Sequence, residues 1–354
     1  MSSRAPWRNI YKNIKTTVFY IFVATITLSI IGPVFFVVSL SFLSTREAYD
    51  YPLPLLPALS TQFHMTHGER GYLLSVYDRV NKEYITVIDT LDLEKMSVYM
   101  KARLGTPVSI GEIEEQVARL DREDPVYFTK NADVFHNYKV FFQITRDAIP
   151  SLIRSLQICG LTILISLSIG GMAGYAFARY VFVGREMLKF SVLFVRMFPA
   201  IAIALPMVII LANMGFYDRP IGLSLVYSLG NIALTVWITA SIFMGIPVSL
   251  EEAAQVFGGT RAQAFLRITL PLALPGLAAA AMYAFLGAWN EVVSALVLTE
   301  LNPTFSVVVY KSLVGATGQV NLSAAGGIVM AIPTVTFTYF IRRYIQQMWG
   351  GITL

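Results

Sequence analysis

Charged residues are scarce in this chain of 354 residues: Asp, Glu, Lys and Arg together make up 14% of it. Soluble globular proteins carry roughly 25%, and with 55% of the residues hydrophobic a chain of this composition belongs in a bilayer. Cysteine is scarcer still. The single Cys159 excludes a disulfide framework and a cysteine-held metal cluster and gives no clue to redox compartment; it reads as a small packing residue. Only three histidines occur, His64, His67 and His136, all in one polar stretch. The apolar segments therefore hold no histidine base or metal ligand for an intramembrane enzyme. His64-Met65-Thr66-His67 has helical spacing, but its motif contains no acidic third ligand, so it reads as a polar loop and no metal site is expected. No G-x-x-x-x-G-K-[ST] run is present, which removes the backbone cradle and lysine that grip nucleotide phosphates.

What the chain has in abundance is long apolar sequence. Crossing about 30 Å of hydrocarbon as helix takes about 20 residues, and six runs qualify: 18–42, 153–177, 188–211, 222–244, 272–298 and 322–340. The net charge of +5 is spread unevenly. Residues 44–148 hold 12 Lys/Arg against 16 Asp/Glu, a net of −4, which leaves +9 on the remainder. Much of that excess lies in alternate connections: Arg4, Arg8, Lys12 and Lys15 before the first run, Arg179, Arg185 and Lys189 between the second and third, Arg342 and Arg343 after the sixth. The positive-inside rule places those segments and both termini in the cytoplasm, and residues 44–148 outside. The first run exceeds the core of a signal peptide and has no clear small-residue cleavage site, so it is expected to remain as an anchor.

The outer segment has its own pattern. Tyr51-Pro-Leu-Pro-Leu-Leu-Pro57 cannot continue a helix, because proline lacks the N–H and fixes φ. Residues 72–77 and 84–89 are rich in β-formers and flank 78–82 as a hairpin. Residues 91–104 read as a helix ending at Gly105, and Ser109-Ile-Gly-Glu112 as a capping box opening a second helix that runs to Leu120. No catalytic constellation is present. The other outer turns, near 215–220 and 300–321, add little mass. The expected fold is an all-α polytopic membrane protein, with six transmembrane helices and a small α/β extracytoplasmic lobe between the first two.

The most specific pattern stands between the fourth and fifth runs: Glu252-Ala253-Ala254, three residues, Gly258, nine residues, then Ile268-Thr-Leu270-Pro271. A Ser249 hydroxyl accepting from the Glu252 N–H, with the Glu252 carboxylate reaching back, caps a short helix. Gly258 stops it at positive φ. Ala253 and Ala254 let a partner approach the backbone, Leu250 and Phe257 offer apolar contact, and Pro271 restrains the start of the fifth span.

This loop resembles the EAA loop of permease subunits in ABC importers. Gly174-Tyr-Ala-Phe-Ala-Arg179, Arg196-Met-Phe-Pro199, Ile246-Pro247 and Ala288-Trp-Asn-Glu291 are similar to the carbohydrate branch of that family, and Asn137-Tyr138 to the segment leading into the second span of the smaller maltose-type subunit. The resemblance covers the first span and residues from about 137 onward; residues 66–128 look like an insertion, and Phe257 replaces an acidic residue often found there in sugar importers. It implies a transport subunit, not an enzyme, that passes a di- or oligosaccharide across the cytoplasmic membrane of a bacterium or archaeon by alternating access. Ser249, Leu250, Glu251, Glu252, Ala253, Ala254, Phe257 and Gly258 would then form the coupling helix, seated in a groove of the ATP-hydrolysing subunit. No cofactor is expected on this chain, with ATP and Mg on the partner. The implied partners are a second permease subunit, two ATP-binding subunits, an extracytoplasmic solute-binding protein, the sugar and membrane lipid, and no nucleic acid.

Charges within hydrocarbon are functional candidates by default. Arg196 and Glu291 either pair across the bundle or line the solute path. Asn290 and Trp289 suit a sugar's hydroxyls and ring face and equally suit helix contacts, packing being the preferred reading of Trp289. Pro199 and Pro206 can kink the third span beside a cavity. Competing readings are a permease for a non-sugar solute and an ion-coupled secondary transporter, which would show inverted repeats or paired broken helices. The expected domains are 1–43 (N-terminus and first span), 44–148 (lobe), 149–345 (five-helix core with the loop 245–271) and 346–354 (cytoplasmic tail).

Overall fold

In the computed structural model the backbone is described for residues 6–145, 147–315 and 318–349, and the side chains for 15–145, 147–315 and 318–344. The tail expected over 346–354 and the basic Arg4, Arg8 and Lys12 fall outside the described side chains. Two compact units are present, Met1–Gln143 with Thr317–Ile328, and Ile144–Ala316 with Val329–Leu354.

The first unit begins with α1 (Pro6–Phe42), whose side chains from Lys15 to Val37 are all exposed. A helix apolar on every side and uncovered by protein suits hydrocarbon. Strands β1 (Ser60–His67), β2 (Tyr72–Asp78), β3 (Glu83–Thr90) and β4 (Val126–Asn131) form an antiparallel sheet in the order β3-β2-β1-β4. Helices α2 (Leu93–Leu104) and α3 (Ile110–Leu120) join its core, where Phe63, Met65, Leu74, Met96, Met100 and Ile113 are fully buried.

Both lobe helices start and stop where side-chain chemistry dictates. Asp92 accepts the Lys95 N–H at 3.0 Å to open α2, and Gly105 at φ +65° closes it. Ser109 and Glu112 form the expected capping box around the start of α3. Lys130 donates to Glu112 at 2.6 Å and, with the Ser109 bonds, holds that carboxyl down at about 2.

The helical spacing read into residues 64–67 is wrong. They lie on β1, where alternation puts residues three apart on opposite faces. His64 rests against Tyr127 and Tyr84, with ring centroids at 4.8 and 5.3 Å, while His67 bonds Asp124 at 3.0 Å. After β4 comes α4 (His136–Ile144). There the buried Asn137 donates to the carbonyls of Ser41 and Leu43 at 2.9 and 2.7 Å and accepts from Asn321 at 2.9 Å, tying the end of α1 to a distant part of the chain.

The second unit holds α5 (Ala148–Arg179), α6 (Arg185–Val195), α7 (Ala200–Asn213), α8 (Pro220–Met244), α9 (Ser249–Val256), α10 (Arg261–Ala264), α11 (Leu270–Trp289), α12 (Val293–Leu298), α13 (Phe305–Val314) and most of α14 (Val320–Trp349). Among the described residues five helices are long and apolar enough to cross a membrane, or six if α6 and α7 count as one. Two expected spans are interrupted. The run 188–211 bends by 85° between α6 and α7, because Pro199 offers no N–H and turns the residue before it out of helical conformation. The run 272–298 stops at Trp289 and resumes as α12. The turn 300–321 contains α13, which the sequence reading missed.

Helices α5 and α8 pack most closely, through glycine. A Cβ at Gly174 would collide with the Thr239 hydroxyl and lie 2.9 Å from the Ala240 nitrogen; one at Gly170 would lie 2.8 Å from Thr235 Cβ. Gly174→Val therefore forces the pair apart, an overpacking cost of about 1–3 kcal/mol. The expected result is a lower melting temperature of the detergent-solubilised protein, with no such change for valine at Gly160, where a Cβ meets nothing within 4 Å.

Candidate coupling site

The connection from α8 to α11 is built from short, separately capped pieces. Its first piece, α9, ends in paired bonds: Gly258 N–H to the Gln255 carbonyl and Gly259 N–H to the Ala254 carbonyl, both 3.0 Å, with Gly258 at φ +87°. This is the Schellman arrangement that glycine permits and L side chains resist. Thr260 and Gln263 then form a reciprocal capping box that opens α10. A π-turn, Phe265–Thr269, leads into α11. Pro271 stands two residues later, where it can neither donate to the preceding turn nor tolerate its carbonyl at normal spacing.

At the start of α9 the expectation fails. Ser249 and Glu252 form no capping box: α9 begins at Ser249 itself, and Val248, already in helical conformation, makes no side-chain cap. The first turn is closed by Leu250 and Glu251 N–H groups donating to the Pro247 and Val248 carbonyls. Glu252 is exposed, and the carboxylate that matters is its neighbour.

Glu251 points inward, its side chain 9% exposed. One carboxylate oxygen accepts from Arg179 Nε at 2.8 Å and from the Thr269 hydroxyl at 2.7 Å; the other accepts from the Tyr175 hydroxyl at 2.7 Å. Arg179 Nη2 adds an ion-pair contact at 2.7 Å, outside hydrogen-bonding direction, and Nη1 donates to the Phe243 carbonyl at 2.8 Å. Burial pushes the Glu251 carboxyl up, but the bonds from Thr269, Tyr175 and Arg179 outweigh it and hold the group below its usual range. Tyr175 is itself fixed edge-on against Phe243 and Phe265, at 5.4 and 4.7 Å. One carboxylate thus ties α9 to the C-terminal end of α5 and to the π-turn, with Arg179 continuing to the end of α8.

The opposite side of α9 is bare. Glu252, Ala253, Gln255 and Gly258 are exposed, and Val256 and Phe257 present 84% and 91% of their surface, with Leu250 at 40%. Two adjacent apolar side chains this exposed at the capped C-terminal end of a helix are a candidate contact surface.

The membrane candidates separate in the structure. Arg196 and Glu291 line one cavity of about 240 Å³ together with Tyr227, Asn231 and Ser294, yet form no ion pair with each other among the described residues. Glu291 accepts the Ser294 N–H at 2.9 Å, while its carbonyl accepts from Tyr227 and Ser306. Both charges sit at helix interruptions, Arg196 after α6 and Glu291 between α11 and α12. Trp289 is 2% exposed, stacked on Phe285, and donates to the Met330 carbonyl at 3.0 Å, so it belongs to the core. Asn290 is exposed and does not line the cavity. Asn231 was missed by the sequence reading; the single carboxamide inside the run 222–244 was the available signal.

The family described as binding-protein-dependent transport system inner membrane component matches residues 166–349. The trehalose transport system permease protein of Mycobacterium tuberculosis is 35% identical over 225 residues, 61% of this chain and 81% of that protein. The maltose/maltodextrin transport system permease protein of Vibrio vulnificus is 32% identical over 207 residues, 56% and 69% respectively. In fold, the chain is similar to a bacterial ABC transporter involved in the import of the acidic polysaccharide alginate, with a TM-score of 0.54 at 18% identity, over 98% of this chain and 100% of that one.

Glu251→Gln leaves Arg179 buried without its counter-charge, and breaking a buried pair from one side costs about 3–5 kcal/mol. Thr269→Val removes one donor and costs about 1–3 kcal/mol. Hydrogen exchange of the α9 amides should accelerate in that order, Glu251→Gln most.

Proposed function

Because this chain belongs to the family of binding-protein-dependent transport system inner membrane components, we propose that it is the permease subunit of an ATP-driven sugar importer and passes a di- or oligosaccharide across the cytoplasmic membrane by alternating access. The sugar assignment is supported by the relatives named for trehalose and maltose, at 35% and 32% identity. ATP and Mg belong to a separate chain, since this one has no phosphate-binding loop. The assembly it enters contains a second permease subunit, two ATP-binding subunits and an extracytoplasmic solute-binding protein.

The observation that carries the mechanism is α9, bare on one side and tied through Glu251 on the other. Val256, Phe257 and Leu250 seat in the ATP-binding subunit. When those subunits close, α9 moves, and the Glu251 bonds pass the displacement to α5 and to the π-turn ahead of α11. Six spans result if α6 and α7 are one broken span. Both termini then lie in the cytoplasm and the lobe outside, where it is placed to receive the binding protein. The cavity holding Arg196, Asn231 and Glu291 lies on the solute path. Its walls include two interrupted helices, an arrangement tolerated in membranes where backbone borders protein or a wet cavity.

Gly258→Pro imposes φ near −65° where +87° is observed and deletes the N–H donated to Gln255. Purified from native membranes, the wild-type chain should bring down an ATPase with solute-stimulated hydrolysis, and the variant should lose the ATPase or the stimulation; a well-folded wild type that brings down none contradicts the importer reading. Arg196→Gln or Glu291→Gln should lower sugar uptake about tenfold or more without lowering basal ATP hydrolysis.

A further inference from the structure

A second and larger cavity, about 470 Å³, lies entirely within the lobe unit. That volume falls in the roughly 300–1,000 Å³ range of small-molecule clefts. It opens between the end of α1, the segment 44–59, the start of β1, the end of β2, and the turn before α4.

Some of the charges in its wall are occupied. Glu47 and Arg79 pair at 2.7 Å, and Asp133 pairs with Lys139 at 2.7 Å. Four polar side chains make no hydrogen bond among the described residues. Arg46 keeps Nη2 buried without a hydrogen-bond partner and forms only a long ion pair, 3.6 Å, with Asp78 Oδ2. The half-buried Asp50 carboxylate accepts no hydrogen bond among the described residues and faces Arg46 only through space; burial raises its pKa. The side chains of Gln62 and Tyr77 also line the space with no hydrogen bond among the described residues, and Phe42 adds a second ring.

The kind of ligand follows from that set. A guanidinium offers only donors and a carboxylate only acceptors. An anion would meet Asp50 and Asp78, and a cation would meet Arg46. A neutral ligand rich in hydroxyls satisfies both, since each hydroxyl donates and accepts, while the rings of Tyr77 and Phe42 can cover an apolar face. We propose that the lobe cavity is a carbohydrate-binding site, separate from the membrane path, that holds part of the transported sugar through Arg46, Asp50 and Gln62 with Tyr77 and Phe42 against its ring. This rests on the sugar-importer reading and extends it: the lobe contacts solute as well as the binding protein.

The test is equilibrium binding of radiolabelled trehalose and of radiolabelled maltose to the full-length chain in its purified complex, without binding protein, with binding-protein-dependent uptake measured on the same complex in vesicles. Saturable binding of one sugar is expected, weakened about tenfold or more by Asp50→Asn, Gln62→Ala and Arg46→Gln, and unchanged by Glu114→Gln on the lobe surface. The isosteric Asp50→Asn and the rim variant Gln62→Ala keep the test open if Arg46→Gln misfolds. Binding that ignores the three lobe variants, or is lost only with Arg196→Gln, overturns the cavity site and leaves the importer reading intact. No binding despite working uptake does the same. Absence of both binding and uptake with either sugar overturns the sugar reading and the site together.

Discussion

The Glu251 carboxylate is a buried charge whose position everything near the α8–α11 connection depends on. Taking a carboxylate out of water is tolerable only with an opposite charge and hydrogen bonds filling its lone pairs. Here the donors come from Tyr175, Arg179 and Thr269, on α5 and the π-turn. None can shift alone without leaving a buried group unsatisfied, so the pieces move together or not at all. The neighbouring chemistry serves that constraint. The close α5–α8 contact at Gly174 brings Arg179 within reach of the Phe243 carbonyl, and the Phe243 and Phe265 rings hold Tyr175 in line.

In the proposed mechanism α9, fixed on one side and bare on the other, transmits displacement. The Schellman end at Gly258 and the capping box at Thr260 leave α9 little freedom to unwind under load. In the spans the design is the reverse. Helices are broken at Arg196–Pro199 and after Trp289, and both breaks border a cavity with a charge at each. The separately capped pieces lie between α8 and α11, and the interruptions border the cavity of Arg196 and Glu291.

Much of this was legible in the sequence, for identifiable reasons. The apolar runs, the lobe hairpin, Gly105, Ser109 with Glu112, and Gly258 are local signals, decided by residues within a few positions of one another. The failures are tertiary. Ser249 and Glu252 have the capping-box spacing, but the inward pull on Glu251 sets the helix start, and nothing local says which of two adjacent glutamates is buried. Arg179 read as a topological charge because its partner is far along the chain. Strand β1 was hidden by two histidines, since an alternation of Phe63 and Met65 alone is short, and β4 is recognisable only from its pairing with β1. The stops at Arg196 and Trp289 fall inside apolar runs, where hydropathy carries no boundary.

The central claim is that α9 and α5 move as one body through the Glu251 bonds. Cys159 is the single cysteine and is buried, so after Cys159→Ala, spin labels can be placed at the exposed Gln255 on α9 and Met172 on α5. Their separation should be measured by pulsed electron resonance in the assembled transporter with and without nucleotide. The account predicts one narrow distance common to both states in the wild type, and a broadened, nucleotide-dependent one in Glu251→Gln. A wild-type distance that changes on nucleotide binding, or a Glu251→Gln variant indistinguishable from it, would contradict the claim.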